Sequence, residues 1–324
     1  MNDFTILVAP GAFSSAVSVT LDLLSAAATM APRVGAATPK WKVLSLSDGP
    51  TPLSNGLSID APPLPQRIKP DSSIWVIPGL STNSPKAVDL RLTQPDAQRA
   101  IRALKTHARA GGTVAASCSG VFLLQAADLL KNRKVTTTWW LASHLQKLEP
   151  ECVVDANRLV ISDGPVWTAG AAFAQTDLMI RLIHSRFGGA LAEAVSKVLV
   201  IDGREAQAPF IVPAMLANGD ELIASLTQQI EKSLPNPPSV KAMAERLCIS
   251  EKTLARRIKA ATGKNTSEMI QFVRLKRARR LLETTHMSVD QVAEKVGYSD
   301  STALRRLMRK VFNATPRQFR SLNS

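Results

Sequence analysis

The sequence predicts an α/β domain with a mostly parallel sheet, followed by an all-α domain, and three observations support this. In the first 232 residues, short apolar runs alternate with longer helical patterns, which is typical of parallel strands joined by helices. Residues 233–239 contain three prolines, and proline ends helices because it lacks an N–H donor. After this segment only helical periodicity remains, in short pieces joined by tight turns.

The chain length also favours two domains. A chain of 324 residues can form two separate hydrophobic cores. We expect a first domain over residues 1–232, a linker over 233–239 and a second domain over 240–322. Within the first domain, the apolar runs predict strands over 5–9, 41–46, 74–77 and 113–116. The longer patterns predict helices over 17–30, 95–110, 119–131 and 171–187.

Composition excludes several classes of protein. Cys118, Cys152 and Cys248 lie far apart in the chain, which does not resemble a disulfide framework or a metal cluster. The sequence therefore predicts neither a metal ion nor a cofactor. The N-terminus lacks the basic and then apolar layout of a secretory signal. No stretch approaches eighteen uninterrupted apolar residues, so no membrane partner is expected. We expect a reduced, cytoplasmic protein.

Positive charge is concentrated in the second domain. Residues 236–324 carry 19 Lys and Arg against seven Asp and Glu, whereas residues 1–235 carry 21 against 19. A solubilising surface usually mixes the two signs more evenly. The basic segment therefore predicts binding to a polyanion, and the nearly neutral segment must have another task.

The second domain contains an internal repeat. Residues 240–250 recur as 289–299, 49 positions later, and each copy is followed by a basic helix. Ala244 and Ala293 are small enough to let two helices cross closely. These features predict two helix-turn-helix units.

Turn chemistry supports the same interpretation. Cys248 and Gly297 occupy the turns, where glycine suits a left-handed backbone and cysteine suits it less well. Ser250 and Ser299 are placed to cap the second helix of each unit. Leu247, Leu254 and Ile258, and likewise Val296, Leu304 and Met308, fall on one inward face. The opposite face carries Lys252, Arg256, Arg257 and Lys259 in the first copy, and Arg305, Arg306, Arg309 and Lys310 in the second.

This domain resembles the DNA-binding domain of the AraC/XylS regulators over residues 238–322, including the closing stretch 313–319. The amphipathic helix 267–284 would hold the two units at a fixed separation. Two linked recognition helices can enter successive major-groove segments about 34 Å apart. The resemblance implies double-stranded promoter DNA as partner and allows contact with RNA polymerase. It places a set of DNA-binding residues on the recognition helices: Lys252, Ala255, Arg256, Arg257, Ser301, Thr302, Arg305, Arg306 and Arg309.

Arg can pair with guanine through two hydrogen bonds, and Ser or Thr can serve several bases. Ala255 offers apolar contact only, for example to a thymine methyl group. The resemblance places Lys252, Ala255 and Arg256 toward bases in the first unit, and Ser301, Thr302, Arg305 and Arg306 in the second. The other basic residues are expected on phosphates, which makes affinity depend strongly on salt.

In the first domain, residues 115–124 predict a strand that turns sharply into a helix with Cys118 at the corner. This is the layout of a nucleophile elbow. A helix N-terminus at this place is expected to lower the thiol pKa. Residues 77–80 end a neighbouring strand in a glycine-permitted turn. Ligands of open α/β sheets bind at such carboxyl ends.

The first domain resembles the class I glutamine amidotransferase-like superfamily in its PfpI-like branch, which implies a flavodoxin-like three-layer fold. Joined to the AraC-type domain, it is similar to the GlxA group of regulators. The segments that carry the resemblance are 8–11, 21–24, 77–79, the Cys118 corner, 135–139 and 168–171.

One position departs from the enzymes of that superfamily. They place a histidine in the segment matching 135–139, where this chain has Thr138. A cysteine without a positioned imidazole lacks the base that activates it. His144 is the nearest histidine, six residues further on, and the Asp22 carboxylate alone would raise the thiol pKa. We therefore expect no catalysis. The alternatives are a cysteine enzyme tethered to DNA by its tail and a regulator that senses oxidation through Cys118.

The resemblance implies that the first domain binds a small effector, an amine or amino-acid-like compound, and forms a homodimer. Trp139 and Trp140 could form an aromatic wall for a cation or simply pack in the core or a dimer interface. A regulator of this type would associate with the nucleoid. The candidate ligand-binding residues are Gly11, Asp22, Gly79, Leu80, Cys118, Ser119 and Trp139.

Overall fold

The computed structural model describes residues 2–69, 71–201, 221–312 and 314–320. The chain forms two compact units, residues 1–205 and 206–324. Asn313 and residues 321–322, which belong to the predicted second domain, lie outside the described residues.

A six-stranded sheet forms the centre of the first unit. Its order is β2-β1-β5-β6-β10-β9. Neighbouring strands run parallel except β9, which is antiparallel to β10. The prediction of a mostly parallel sheet is confirmed. The six strands are β1 (Phe4–Val8), β2 (Trp41–Ser45), β5 (Ile74–Ile77), β6 (Val114–Ser117), β9 (Val160–Asp163) and β10 (Val166–Ala169). Short two-stranded pairs are formed by β3 (Thr51–Pro52) with β4 (Ser58–Ile59), and by β7 (Lys134–Val135) with β8 (Val153–Val154).

Helices cover both faces of the sheet. The crossover from β1 leads to β2 on one side, whereas the crossover from β5 leads to β6 on the other. Right-handed crossovers in opposite directions place their helices on opposite faces. One group of helices that pack together is α1 (Ser14–Met30), α6 (Ala174–Phe187) and α7 (Gly189–Val198), and the other is α2 (Pro85–Leu92), α3 (Pro95–Arg109), α4 (Val121–Ala126) and α5 (Ala142–Leu148).

Strands β1, β5 and β6 are buried at every position. This explains why they appear in the sequence as continuous apolar runs, since parallel strands covered on both faces need no polar side. Helix α1 and the short 3-10 turn after it, Ser14–Val34, are long and apolar enough to cross a membrane by length and composition alone. However, Leu23, Leu24 and Ala27 of this helix are fully buried in the core, which is the pattern of a core helix.

Some elements of the first unit differ from the predictions. The helix predicted over 119–131 is shorter, because α4 ends at Ala126 and Asp128 has a left-handed φ of 59°. The hairpin of β9 and β10 was not predicted, although Asp163 and Gly164 form a dipeptide that favours tight turns. Gly164 has a φ of 59° in that turn.

The second unit is helical throughout its described residues. It contains α8 (Glu221–Lys232), α9 (Val240–Arg246), α10 (Glu251–Thr262), α11 (Thr266–Thr284), α12 (Val289–Lys295), α13 (Ser301–Phe312) and α14 (Pro316–Arg320). Ile223, Leu226 and Ile230 of α8 are almost fully buried in one apolar cluster with residues of α9, α10 and α11. The structure thus divides the chain before α8, whereas the sequence placed the boundary after residue 232. The proline-rich segment 233–239 lies within the second unit.

Helix α11 connects the two helix-turn-helix units. Its start is fixed by a capping box, in which Asn265 accepts from the Glu268 N–H and the Glu268 carboxylate accepts from the Asn265 N–H, both at 2.8 Å. Met269 and Val273 are buried in the apolar cluster that α11 shares with α8, α9 and α10. Further along, the Arg279 guanidinium lies over the Phe319 ring at 5.3 Å. Because this one helix packs against both helix-turn-helix units, its length sets the separation between them.

His107, at the end of α3, is fully buried. Its ring stacks on Trp75 with a centroid distance of 4.4 Å. Burial lowers the pKa of His107, and this effect exceeds the opposing effect of the Asp71 carboxylate. Against burial, hydrogen bonds from Ser73 and Lys42 lower the pKa of Asp71 to about 2. Asp71 therefore stays charged where His107 titrates.

We predict an acid-sensitive stability that depends on His107. The folded protein favours the neutral ring, so the stabilisation is complete above pH 6.5 and is lost as the pH falls through the lowered pKa. The slope approaches ~1.4 kcal/mol per pH unit for uptake of one proton. Thermal unfolding at pH 7.5 and 5.5 should show a smaller difference in His107→Gln than in wild type. His184→Gln, at an exposed position, is the control and should keep the wild-type difference; an unchanged difference in His107→Gln would contradict this prediction.

Candidate DNA-binding surface and candidate ligand site

The two recognition helices, α10 and α13, have sharply divided faces. Leu254 and Ile258 of α10, and Leu304 and Met308 of α13, are completely buried. The predicted DNA-binding residues occupy the remaining faces: Lys252, Ala255, Arg256, Thr302, Arg305, Arg306 and Arg309 are exposed, and Arg257 and Ser301 are partly exposed. Each helix is thus anchored by apolar side chains and presents cations outward.

The two turns reach the same backbone shape with different residues. Cys248 has a φ of 52° and Gly297 a φ of 85°. Both Ala244 and Ala293 are 1% exposed at the helix crossings. Cys248 is exposed. Gly297 is crowded, because a Cβ atom there would lie 2.4 Å from the Pro235 carbonyl oxygen.

A cation–π contact supports the second turn. The Arg274 guanidinium of α11 lies over the Tyr298 ring at 5.6 Å. Burial raises the pKa of Tyr298 to about 12, so the ring stays neutral. The first repeat has Ile249 at the position of Tyr298. Arg274 and Tyr298 were not among the residues predicted from the sequence, although this difference between the repeats was a usable signal.

The predicted N-cap is present in the first helix-turn-helix unit but not in the second. Ser250 caps α10 by accepting from the Thr253 N–H at 3.1 Å. In the second helix-turn-helix unit, Asp300 rather than Ser299 caps α13, since the Asp300 carboxylate accepts from the Ala303 N–H at 2.8 Å. The prediction for Ser299 was wrong because the second copy is one residue longer before its helix. A carboxylate also interacts more favourably than a hydroxyl with the helix N-terminus.

Cys118 lies at the corner between β6 and a short 3-10 turn, as the sequence predicts. It has a left-handed φ of 51° and is completely buried. The Cys118 N–H donates to the Gly170 carbonyl at 2.7 Å, and the Thr137 hydroxyl donates to the Cys118 carbonyl at 2.7 Å. Gly170 and Thr137 belong to two of the segments that carry the sequence resemblance. The sequence did not reveal that these segments hold the Cys118 corner.

Loops at the carboxyl ends of β1, β5 and β6 join above this corner. The Phe13 N–H donates to the Gly79 carbonyl at 2.8 Å, and the Ser81 N–H donates to the Gly11 carbonyl at 2.9 Å. The Ser119 hydroxyl donates to the Leu80 carbonyl at 2.7 Å. The structure thus brings together Gly11, Gly79, Leu80, Cys118 and Ser119, and it closes the crevice where the strand order reverses.

Gly79 is required for this closure. A Cβ atom at Gly79 would lie 2.7 Å from the Cys118 Cβ atom, a distance at which the corner would have to shift. The two loops therefore pack at backbone distance, and Cys118 has no exposed surface.

Thr138, for which the sequence resemblance led us to expect a histidine, is fully buried beside the Cys118 thiol. Burial raises the pKa of the Cys118 thiol to about 11, against smaller lowering effects of the Ser119 N–H and the Thr138 and Ser119 hydroxyls. The expectation that the helix N-terminus would lower this pKa was wrong, because desolvation of a fully buried thiolate is the larger effect.

The other candidate groups lie elsewhere. His144 pairs with Asp89 at 2.9 Å and its ring stacks on Phe122 at 5.6 Å. Asp22 is exposed on α1, and among the described residues it has no hydrogen bond to the Cys118 corner. Trp139 is 7% exposed and meets Trp140 edge to face at 5.0 Å, which fits the packing interpretation of the tryptophan pair.

Comparison with known proteins agrees with this architecture. A family model described as the DJ-1/PfpI family matches residues 5–183, which is more than half of the chain. The chain belongs to the DJ-1/PfpI family. A second model, described as a helix-turn-helix domain, matches residues 243–321. This DJ-1/PfpI protein therefore carries a helix-turn-helix domain of AraC type at its C-terminal end.

Relatives with the same combination are regulators by name. The HTH-type transcriptional regulator CdhR of Pseudomonas aeruginosa is 28% identical over 286 residues, covering 87% of this chain and 82% of the relative. The HTH-type transcriptional regulator GlxA of Rhizobium meliloti is 28% identical over 221 residues, covering 67% and 68%. A crystal structure of an AraC family transcriptional regulator from Pseudomonas putida superposes with a TM-score of 0.50 at 18% identity, covering 61% of this chain and 100% of that one. The last comparison supports the fold of the first unit.

The first prediction from these sites concerns the two turns. Gly297→Ala should lower the free energy of unfolding of the helical unit by more than about 2 kcal/mol, because it adds a strained φ and a clash with Pro235. Cys248→Gly, the matched change, removes a strained φ without a clash and should alter stability by less than about 1 kcal/mol. Urea unfolding followed by circular dichroism measures both. Equal effects at the two turns would refute the proposed crowding at Gly297.

The second prediction concerns thiol reactivity in this DJ-1/PfpI protein. A pKa near 11 leaves about 100-fold less thiolate at pH 7.5 than the ordinary value of 9.0 does, and Cys118 is also inaccessible. Cys152 is likewise buried with its pKa raised to about 11. Brief treatment with iodoacetamide should label Cys248 alone, as peptide mapping would show. Cys248→Ser should abolish this rapid labelling. Labelling of Cys118 as fast as Cys248 would show that the corner opens.

Proposed function

We propose that this protein is a sequence-specific DNA-binding transcriptional regulator. The main support is the pair of recognition helices, each buried on one face and cationic on the other, packed against the single helix α11. The names of the relatives CdhR and GlxA favour the same function. We propose that α10 and α13 enter successive segments of the major groove of promoter DNA.

We propose that the exposed residues of α10 and α13 contact two different parts of the DNA, the base edges and the phosphates. Lys252, Arg256 and Arg305 are proposed to contact base edges, where an arginine can discriminate guanine through two hydrogen bonds. Arg257 and Arg309 are proposed to contact phosphates. Ala255 exposes only a methyl group, which limits it to apolar contact. Phosphate contacts would make affinity fall steeply with salt.

We propose that the α/β unit has no catalytic activity. Thr138 lies where an activating imidazole would be needed, and a buried thiol with a pKa near 11 is a poor nucleophile at neutral pH. The same pKa and burial argue against rapid oxidation of Cys118, because the thiolate is the reactive form. Little turnover by the purified protein in hydrolase or hydratase assays is the expected result.

The α/β unit is instead proposed to bind a small amine or amino-acid-like effector and to form the homodimer. A ligand could reach Cys118 only after the loops of Gly11 and Leu80 separate, since these loops hydrogen-bond across the crevice. Effector binding at this edge would therefore be coupled to loop opening, which shifts a conformational equilibrium. RNA polymerase is a proposed further partner at the promoter, and the protein is proposed to be cytoplasmic and associated with the nucleoid.

We predict that single arginine substitutions weaken specific binding by the full chain to DNA flanking its gene. Arg256→Ala and Arg305→Ala should each cost about 1–3 kcal/mol on the specific site, because a base contact is lost. The loss on non-specific DNA should be smaller. Fluorescence anisotropy of labelled DNA, titrated with protein at several salt concentrations, measures the affinity for the specific site and for non-specific DNA.

A charge-matched control is available in the other unit. Arg102→Ala removes one positive charge from an exposed position of α3 and should leave specific binding unchanged. The proposal would be overturned by binding that is weak and independent of DNA sequence at every salt concentration. It would equally be overturned if Arg102→Ala weakened binding as much as Arg256→Ala.

A further inference from the structure

The helical unit contains an open cleft away from the recognition faces. It has a volume of about 550 Å³ and lies between the end of α8 with the following segment, the second half of α11, and both ends of α12. This volume is within the range of small-molecule sites, about 300–1,000 Å³. The function proposed above makes no use of it.

The floor of the cleft is apolar. Leu234, Leu281 and Met287 line it from three different segments, and each of them remains partly exposed. Apolar surface left open to water inside a concave site favours a ligand with an apolar body, because burying that surface releases water from both partners.

The rim of the cleft is cationic. Lys232, Arg277 and Lys295 line it, against the single carboxylate of Glu231. Arg277 is partly buried, and within the described helices its guanidinium has no ion pair and no hydrogen bond. Arg279, two positions along the same helix, is by contrast paired with Glu283. A guanidinium that lines a concave site without a partner can donate two parallel hydrogen bonds to a bound carboxylate.

The neighbouring charges do not supply this anion. Burial first, and then the positive charge of Arg279, lower the pKa of Lys276 to about 8, although Glu283 and Glu231 oppose the shift. Glu231 therefore already interacts with Lys276. Three cations and one carboxylate line the cleft, and this excess of positive charge favours a carboxylate with its two acceptor oxygens as the occupant.

We propose that this cleft binds a small organic carboxylate, with the carboxylate on Arg277 and Lys295 and the apolar body on Leu281 and Met287. Because the cleft joins α8 and α11 to α12, the first helix of the second helix-turn-helix unit, the ligand would stabilise the position of that unit. The inference does not rest on DNA binding, since the ligand contacts no residue of the recognition faces.

The test uses the full chain without DNA. Sodium hexanoate and sodium benzoate are titrated by calorimetry, with hexanamide and benzamide as uncharged counterparts of the same shape. At ten times its Kd, a bound carboxylate should raise the Tm of the helical unit by about 4–8 °C, and the amides should not. Lack of binding by both carboxylates, or equal binding of acids and amides, would overturn the proposal.

Variants assign the binding to this cleft. Arg277→Gln should weaken carboxylate binding about tenfold or more, because a charge-assisted hydrogen bond is lost. Arg280→Gln, at an exposed position of the same helix outside the cleft, should bind as wild type. Lys295→Gln provides a second test if Arg277→Gln folds poorly. Carboxylate binding that survives both cleft substitutions would overturn the assignment.

Two further readouts separate this inference from the other proposals. Arg277→Gln should keep specific DNA binding, so loss of ligand binding with intact DNA binding supports the cleft alone. If the cleft instead receives an acidic segment of another protein, Arg277→Gln would reduce transcription activation by purified polymerase while neither carboxylate binds wild type. That outcome would overturn the small-molecule proposal.

Discussion

Helix α11 is buried from two sides, and the rest of the helical unit depends on this constraint. Met269 and Val273 complete the apolar cluster formed with α8, α9 and α10, while Arg274 and Arg279 cover the aromatic rings of Tyr298 and Phe319 in the second half. A helix rises 1.5 Å per residue, so the continuous helix α11 fixes the distance between the first and the second helix-turn-helix unit. Helix α11 packs against α10 in the first helix-turn-helix unit and against α12 and α13 in the second, so it fixes the relative placement of the two recognition helices.

The α/β unit combines a left-handed backbone at Cys118 with complete burial of the thiol. The corner at Cys118 retains the left-handed backbone that projects a nucleophile in related folds. Gly79 approaches this corner so closely that an added Cβ atom would clash with Cys118, and the Thr138 hydroxyl lies beside the buried thiol. Desolvation then outweighs the nearby hydrogen-bond donors and raises the thiol pKa. Hydrogen bonds with Gly170 and Thr137 hold the corner, and separate hydrogen bonds between the loops of Gly11 and Gly79 close the crevice.

Much of the fold was predictable because its signals are local. The buried strands β1, β5 and β6 and the partly buried strand β2 appear as apolar runs, and the repeat with Ala244 and Ala293 marks both helix-turn-helix units. The hairpin of β9 and β10, helix α2 and helix α7 were missed, since short or weakly patterned elements are decided by what they pack against. The boundary before α8 was missed for the same reason. A proline-rich segment indicates where a helix ends, but it does not indicate which core takes up the helix before it.

The sequence by itself determined the two-domain organisation, the fold class, the doubled turn chemistry and the absence of a histidine at position 138. These follow from residue type and spacing, which act over a few positions of the chain. Only the tertiary structure decided the direction of the Cys118 pKa shift, the closure of the crevice by Gly11 and Leu80, and the cleft lined by Arg277 and Lys295. Burial and charge at these places arise from segments far apart in sequence, and their sum has no local pattern.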